Sequence, residues 1–361
     1  MQINQIIMHV MALGALIGGI DLILGNRFGY GERFEEAFRL LGPIGLSMAG
    51  IICLVPVISG VLGKVIVPLF SALRLDPGMF GGILAIDMGG YPLAMELAAD
   101  PEIGKFSGII VSAVFGCTII FTIPVGLSIM GEEDRPYFTK GILWGMVSMP
   151  GAIILGGLIT GLPLGKTLRN ILPVLLVSAL LFWGITRKPE AIARGFQCFA
   201  KLIRAIATLG LMLGAVQYMT GWQLMEGFTP LAEAMEVVCS IAIVMLGSMP
   251  LAELLRRILK VPFSWIGKHT GLNSASTTGI LIGMVSVAPA LASVPRMDRR
   301  GKVVNGAFLV CGASTFAAHL GFTVTAQPEM VPALLTVKLL GGLAGALIAF
   351  FATNNMKETN T

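Results

Sequence analysis

Long apolar stretches divide the chain into a series of candidate membrane spans. A transmembrane helix needs about 20 consecutive apolar residues. The pattern predicts nine full spans, near residues 3–24, 40–61, 106–130, 141–160, 168–186, 203–219, 235–250, 303–326 and 331–352. Two further stretches, 77–98 and 271–295, are apolar but interrupted by glycine and proline. The predicted fold class is an all-α polytopic membrane protein that forms one transmembrane domain over residues 1–361.

The composition agrees with this class and narrows the function. Hydrophobic residues make up 55% of the chain and charged residues 12%, which is typical of a membrane protein and unlike a soluble enzyme. The five cysteines lack metal-ligand spacing, and we find no nucleophile–base pair or phosphate-binding loop. We therefore expect no enzyme activity, no metal and no cofactor. The positive residues lie at predicted membrane edges, so membrane lipid is an expected partner and nucleic acid is not. The sequence leaves open whether the protein forms a homo-oligomer.

The first interrupted stretch contains the run Asp87-Met88-Gly89-Gly90. Carboxylates within apolar runs are rare, because burying an unpaired charge in hydrocarbon is costly, and they usually mark function. The alternative for an isolated motif of this kind is a solvated turn at the membrane surface. The functional interpretation is favoured here because the stretch has a counterpart later in the chain.

Constant offsets relate the two halves of the chain. Offsets of 194 to 197 match Pro56 with Pro250, Pro68 with Pro262, Gly82 with Gly279, Pro92 with Pro289, and Gly104-Lys105 with Gly301-Lys302. Matches of glycine alone are expected by chance in a chain with 46 glycines, but the proline and Gly-Lys matches are less frequent by chance. They predict an internal duplication, with repeats over approximately 40–130 and 235–326.

The distribution of Lys and Arg predicts the orientation of these repeats. Cytoplasmic loops carry an excess of positive residues, which places the basic loops 187–204, 253–268 and 296–302 inside. Because two of these loops flank 271–295, that stretch cannot cross the membrane and must be a re-entrant hairpin. The same reasoning makes 77–98 a hairpin that enters from the outside.

The two repeats therefore have opposite topology. Inverted repeats with broken segments are typical of secondary transporters. In the alternative topology both interrupted stretches cross fully, which gives eleven full spans, but basic loops then lie on both sides. In either topology Lys338 is assigned to the end of a span.

The candidate binding site lies at the centres of the broken segments. Hairpin tips and unwound helices expose backbone carbonyls and helix ends, which bind small ions and polar groups. Asp87 is the only carboxylate near the middle of a broken segment, so it predicts a cationic ligand: an ammonium group, sodium or a proton. For His319 the alternative is a core histidine with satisfied hydrogen bonds. The predicted substrate-binding residues are Asp87, Gly89, Gly90, Glu96, Thr118, Thr122, Ser286, Thr315 and His319.

Short motifs along almost the whole chain carry a family resemblance. They are Ile3-Asn4-Gln5-Ile6-Ile7-Met8, Phe34-Glu35-Glu36, Asp87-Met88-Gly89-Gly90, Phe121-Thr122-Ile123-Pro124-Val125, Gly195-Phe196-Gln197, Phe199-Ala200-Lys201, Met297-Asp298, Arg300-Gly301-Lys302-Val303 and His319-Leu320-Gly321-Phe322. Together they resemble the EutH family, the ethanolamine utilisation transporters of bacterial inner membranes. The chain departs from the family pattern at Ala318, where an acidic residue usually stands. It departs again at Ser286-Val287-Ala288, where Asn residues commonly precede the proline.

The resemblance implies a transporter or facilitator that imports ethanolamine across the bacterial inner membrane. Ethanolamine is mostly protonated at neutral pH. The resemblance implies that Asp87 meets its ammonium group, while Thr118, Ser286 or His319 reaches its hydroxyl. It also implies that uptake matters most in acidic medium, because only the neutral amine crosses lipid unaided.

Two other functions are open at this point. One is a sodium- or proton-coupled carrier of another small amine or of a nucleoside. The other is a membrane sensor or scaffold that transports nothing. The predicted loops are short, which favours a carrier over a sensor that needs an exposed signalling domain.

Cysteines introduced at Ala99 and Ser293 should react with an impermeant thiol reagent from opposite sides of the membrane. Opposite topology of the repeats places Ala99 outside and Ser293 in the cytoplasm. Labelling of intact and permeabilised cells, in a background that lacks the native cysteines, measures this. Labelling of both positions from one side would remove the inverted-repeat topology.

Overall fold

The computed structural model describes residues 3–84 and 90–354, and the regular structure there is helical. The predicted site residues Asp87 and Gly89 lie outside the described residues. The α-helices are α1 (Ile3–Ile23), α2 (Tyr30–Arg39), α3 (Leu41–Ala72), α4 (Met79–Leu84), α5 (Gly90–Leu97), α6 (Pro101–Lys105), α7 (Ile123–Ile129), α8 (Arg135–Ile159), α9 (Leu164–Asn170), α10 (Leu172–Arg187), α11 (Pro189–Thr220), α12 (Leu231–Thr270), α13 (Ser274–Val285), α14 (Val287–Ala292), α15 (Arg299–Gly312), α16 (Ala318–Ala326) and α17 (Val331–Ala352). Two π-helical stretches, Phe106–Gly116 and Thr118–Thr122, lie between α6 and α7.

Seven stretches of helix in the described part of the chain are long and apolar enough to cross a membrane, and the bent pair α9–α10 makes an eighth. The prediction of an all-α multi-pass membrane protein is confirmed. The count of nine full spans is not confirmed, because the predicted span 303–326 consists of α15 and α16, separated at 313–317. Within this break Ser314 has a φ of 52°, a left-handed conformation that interrupts a right-handed helix.

Three helices, α3, α11 and α12, extend well beyond their predicted spans. The predicted spans 40–61 and 235–250 are parts of α3, with 32 residues, and α12, with 40 residues. Both α3 and α12 continue through internal prolines, which membrane helices tolerate when neighbouring groups satisfy the freed carbonyls. These prolines are the pairs matched in the sequence: Pro56 and Pro68 in α3, and Pro250 and Pro262 in α12.

Glycines let these helices pack backbone against backbone. A Cβ atom at Gly50 of α3 would overlap the Ala207 carbonyl of α11, and one at Gly247 of α12 would overlap the Met11 carbonyl of α1. Membrane helices associate through close van der Waals contact, which small residues allow. The high glycine content therefore sets the distances between helices.

The stretch 77–98 folds back on itself. Asp76, just before it, accepts hydrogen bonds from the N–H groups of Ala99, at 3.3 Å, and of Asp100, at 2.9 Å. Between these ends, α4 packs against α5. The Asp100 carboxylate is itself paired with Lys166, and this hydrogen bond lowers the pKa of Asp100 below its ordinary value. The two ends of the stretch therefore meet at one place, as in a hairpin.

The stretch 271–295 is closed in a similar way. Asp298, just after it, accepts hydrogen bonds from the Asn273 N–H, at 2.9 Å, and from the Ser276 hydroxyl, at 2.6 Å. The side-chain amide of Asn273 donates to the Arg296 carbonyl at 3.0 Å. This stretch is therefore a second hairpin with its two ends together.

Equivalent contacts hold the first arm of each hairpin to the helix that follows. The Ser107 hydroxyl donates to the Gly78 carbonyl at 2.8 Å. The side-chain amide of Asn305 donates to the Ser276 carbonyl, also at 2.8 Å. Each residue of the second pair lies 198 positions after its counterpart in the first. This spacing is one residue longer than the offset of 197 that the sequence gives for this region. The internal duplication and the opposite orientation of the repeats stay predictions.

Replacing Asp298 by alanine should destabilise the protein by roughly 1–3 kcal/mol, because three donors at the hairpin base lose an anionic acceptor. The donors are the Asn273 N–H, the Ser276 hydroxyl and the Gly301 N–H in the first turn of α15. The thermal unfolding midpoint of the purified protein measures the effect. Glu133→Ala, at an exposed loop position, is the control and should leave the midpoint unchanged. An unaltered midpoint for Asp298→Ala would contradict its role in closing the hairpin.

Candidate functional site

The segment after the first hairpin is π-helical and deeply buried. Every residue of Phe106–Gly116 is buried. At its end the Cys117 N–H bonds to the Ser112 carbonyl, five residues earlier, so the helix is wider than an α-helix. π-helical turns are rare and frequently occur at functional sites. This segment is therefore a candidate wall of a binding site.

Two threonines predicted for the site lie in the second π-helical stretch and differ in their environment. The Thr118 hydroxyl lies within hydrogen-bond distance of the carbonyls of Val114, at 2.8 Å, and Val310, at 2.6 Å, between which its single O–H is shared. It therefore links this stretch to α15. The Thr122 hydroxyl is buried and has no hydrogen-bond partner among the described residues. Such unpaired groups are uncommon in folded proteins, because they lose their hydration without compensation.

The break at 313–317 is held in place by the second hairpin. The Ser314 N–H donates to the Gly283 carbonyl at 2.8 Å, and the Phe316 N–H donates to the Met284 carbonyl at 3.0 Å. Non-helical backbone at membrane depth is tolerated only where protein or a water-filled cavity covers it. The hairpin therefore supplies the cover that the break in the predicted span requires.

A small cavity lies between the first π-helical stretch and α16. Its lining residues are Gly108, Ile109, Ser112, Ala113, His319, Phe322 and Thr323. In this conformation the cavity has room for about one water molecule. His319 Nδ1 lies 3.3 Å from the Ala313 carbonyl, which can only accept, so a hydrogen bond here requires the tautomer with its proton on Nδ1. In a neutral ring the other nitrogen, Nε2, is then a hydrogen-bond acceptor.

Two hydroxyls add to this polar lining. Ser112 and Thr323 are almost fully buried, and neither side chain forms a hydrogen bond with another described residue. Each hydroxyl can donate one hydrogen bond and accept others. The described lining contains no carboxylate, so the cavity suits a small neutral polar group. Sequence reasoning missed both residues, because a single hydroxyl in an apolar run has no distinguishing pattern.

The first hairpin covers one side of the cavity. The Tyr91 ring of α5 packs edge-on against Phe322, with 5.7 Å between ring centroids. The Tyr91 hydroxyl accepts a hydrogen bond from the Gln327 side-chain amide at 2.6 Å. Gly108 lies against Tyr91, where a larger side chain would clash. Elements from both predicted repeats therefore meet at this cavity.

A buried charge adjoins the cavity wall. Lys338 of α17 is fully buried, and its Nζ donates to the Ala113 carbonyl at 2.9 Å. The assignment of Lys338 to the end of a span is wrong, because it lies within α17, seven residues after Val331. A charge inside an apolar run is the same signal that singled out Asp87, so the sequence could have predicted that Lys338 lies within a span.

The predicted site residues of the described part lie in different places. His319 lines the cavity. Gly90 is buried at the start of α5, and Glu96 is exposed on the same helix. Ser286 is half-buried between α13 and α14, while Thr315 is buried and donates to a carbonyl of its own turn at 2.8 Å. Of these five residues, the structure brings only His319 to the cavity.

Comparison with known proteins places the chain in a family. The family model described as ethanolamine utilisation protein, EutH, matches residues 3–352. A Listeria monocytogenes protein named "Probable ethanolamine permease EutH" is 38% identical over 361 residues, which cover 100% of this chain and 97% of the relative. An Escherichia coli protein of the same name is 36% identical over 400 residues, covering 100% and 98%.

The uncharacterized protein YxeR of Bacillus subtilis is 38% identical over 354 residues, covering 98% of this chain and 96% of the relative. No solved structure matches the chain. The family model spans nearly the whole chain, and the relatives match over almost their full length. The chain therefore belongs to the EutH family of ethanolamine utilisation proteins.

Proposed function

We propose that this chain is a carrier that imports ethanolamine across the bacterial inner membrane. The family and the names of the relatives supply the substrate. The observation that carries the proposal is the small buried cavity at His319, between the first π-helical stretch and α16, which follows the break at 313–317. Binding sites between broken helices are typical of secondary transporters.

The cavity suits the hydroxyl end of ethanolamine. His319 Nε2 is available to accept the substrate O–H, and the hydroxyls of Ser112 and Thr323 are available to donate to its oxygen. Ile109 and Phe322 supply apolar contacts for the two methylene groups. A site that hydrogen-bonds a hydroxyl rejects analogues that lack it, because its own polar groups would then stay unpaired.

We assign the ammonium group to Asp87. This assignment rests on the sequence, since Asp87 lies outside the described residues. It is the only carboxylate near the middle of a broken segment, and a substrate cation away from water needs an anionic or strongly polar partner. The run Gly89-Gly90 would let the substrate approach the backbone closely. The hairpin that contains these residues also contributes Tyr91, which covers the cavity.

The two hairpins suit a carrier with inverted repeats over 40–130 and 235–326. Their similar closures at Asp76 and Asp298, and the equivalent contacts of Ser107 and Asn305, support this design. In carriers of this kind, one repeat moves against the other around the bound substrate and exposes the site alternately to each side. The hairpin that enters from outside would then control access from outside.

Proteoliposomes that contain the protein should take up labelled ethanolamine by a saturable route, and Asp87→Asn should weaken binding. Asparagine keeps the size of the side chain but removes its charge. Loss of a charge-assisted hydrogen bond of ~1.5–3 kcal/mol corresponds to roughly ten- to a hundredfold in affinity. Glu133→Gln, in an exposed loop, is the control and should behave as wild type. Native affinity in folded Asp87→Asn would remove its assigned role, and a lack of saturable wild-type uptake would refute the proposed function.

The binding preference for ethanolamine over ethylamine should depend on His319, because ethylamine lacks the hydroxyl. Titration calorimetry of both ligands should show that His319→Ala reduces the wild-type preference by roughly five- to tenfold, the equivalent of one neutral hydrogen bond. His269→Ala, at an exposed position near the end of α12, should keep the wild-type preference. The same preference in His319→Ala as in wild type would place the substrate hydroxyl elsewhere.

A further inference from the structure

Lys338 is held deep within the protein. It lies seven residues after Val331, where α17 begins, and fourteen before Ala352, where α17 ends. These separations correspond to about 10 and 21 Å along the helix. A lysine near a membrane surface extends its side chain towards water. The Lys338 side chain does not, because its Nζ donates to the Ala113 carbonyl and the residue is fully buried.

No carboxylate neutralises this ammonium group among the described residues. The ion pairs there use other lysines and arginines. The titratable groups near Lys338 are the Cys117 thiol after the first π-helical stretch, the Cys311 thiol on α15 and the His319 ring on α16. Ionisable groups inside a membrane are costly, and most of those that occur there have a function.

The hydrogen-bond acceptor of Lys338 is part of the cavity wall. Ala113 lies in the π-helical stretch next to Ser112, and both residues line the cavity with His319. Backbone carbonyls of irregular membrane helices coordinate sodium ions or protons in secondary transporters, and the Ala113 carbonyl lies in a stretch that departs from α-helical geometry within a continuous span. The ammonium group of Lys338 therefore lies where such a carrier would bind a cation.

We propose that Lys338 is a built-in cation of the transport core, and that its ammonium group takes the place of a coupling sodium ion at the Ala113 carbonyl. The inference rests on the proposed function, because it concerns what ethanolamine transport requires. Its first consequence is that the wild-type protein needs no sodium. Its second is that removal of the side chain leaves both an acceptor and a space that a sodium ion can enter.

Lys338→Ala should therefore turn a sodium-independent carrier into a sodium-dependent one. In potassium medium its uptake of labelled ethanolamine should fall about ten- to a hundredfold below wild type, as expected for loss of a charge-assisted hydrogen bond. Sodium at the same ionic strength should restore uptake, whereas wild-type uptake should be equal in both media. Lys338→Met fills the space without a charge, so it should be inactive in both.

A second measurement does not depend on transport. The thermal unfolding midpoint of purified Lys338→Ala should be higher in sodium than in potassium, because an ion that binds only the folded state stabilises it. The wild-type midpoint should be the same in both salts. Val337→Ala is the matched control, since it removes a buried side chain at the neighbouring position and keeps the lysine. It should show no response to sodium.

Two outcomes would overturn the proposal. One is wild-type uptake that requires sodium. The other is a folded Lys338→Ala protein whose uptake and unfolding midpoint are the same in sodium as in potassium. A wild-type protein that does not transport ethanolamine would refute the proposed function instead, and the comparison of unfolding midpoints would still decide the role of Lys338.

Discussion

Hydrocarbon offers no hydrogen bonds, so each interruption of a membrane helix has to be satisfied within the protein. In this chain the break at 313–317 is satisfied by the second hairpin, whose carbonyls at Gly283 and Met284 accept hydrogen bonds from the N–H groups of Ser314 and Phe316. The bases of the two hairpins are closed by carboxylates, Asp76 and Asp298, that accept backbone N–H groups. The irregular backbone that could bind a substrate thus depends on contacts between segments distant in sequence.

These contacts also limit how the cavity can open. In the described conformation it holds about one water molecule, so a substrate can enter only if part of the wall moves. The contacts of Tyr91 with Phe322 and Gln327 join the first hairpin to the region of α16. An aromatic pair contributes about 0.5–1.5 kcal/mol and a neutral hydrogen bond about 1 kcal/mol. Contacts of this size can separate and re-form during transport, whereas the closely packed glycine contacts between long helices form a stiffer frame.

Sequence reasoning succeeded where a feature is local and failed where it depends on tertiary contacts. Apolar length predicted the helices, and charges on both flanks of 271–295 indicated a segment that returns to its starting side. The break at 313–317 was missed, because no proline marks it and hairpin carbonyls impose it. The π-helical geometry has no signature in side-chain type, so Ser112 could not be assigned to a cavity. The position of Lys338 within an apolar run was available from the sequence, but the residue was assigned to the end of a span.

The charge of Lys338 determines which end of the substrate the side of the candidate cavity near Ala113 can accept. Two unit charges about 6 Å apart repel each other by roughly 3 kcal/mol at an effective dielectric constant of about 20. A substrate ammonium group is therefore disfavoured beside the Ala113 carbonyl, which already holds the Lys338 ammonium group, whereas a neutral hydroxyl is not. The groups that line this side, such as His319 and Ser112, suit a hydroxyl. A substrate cation would therefore need an anionic partner, and the sequence offers Asp87 as the candidate for that role.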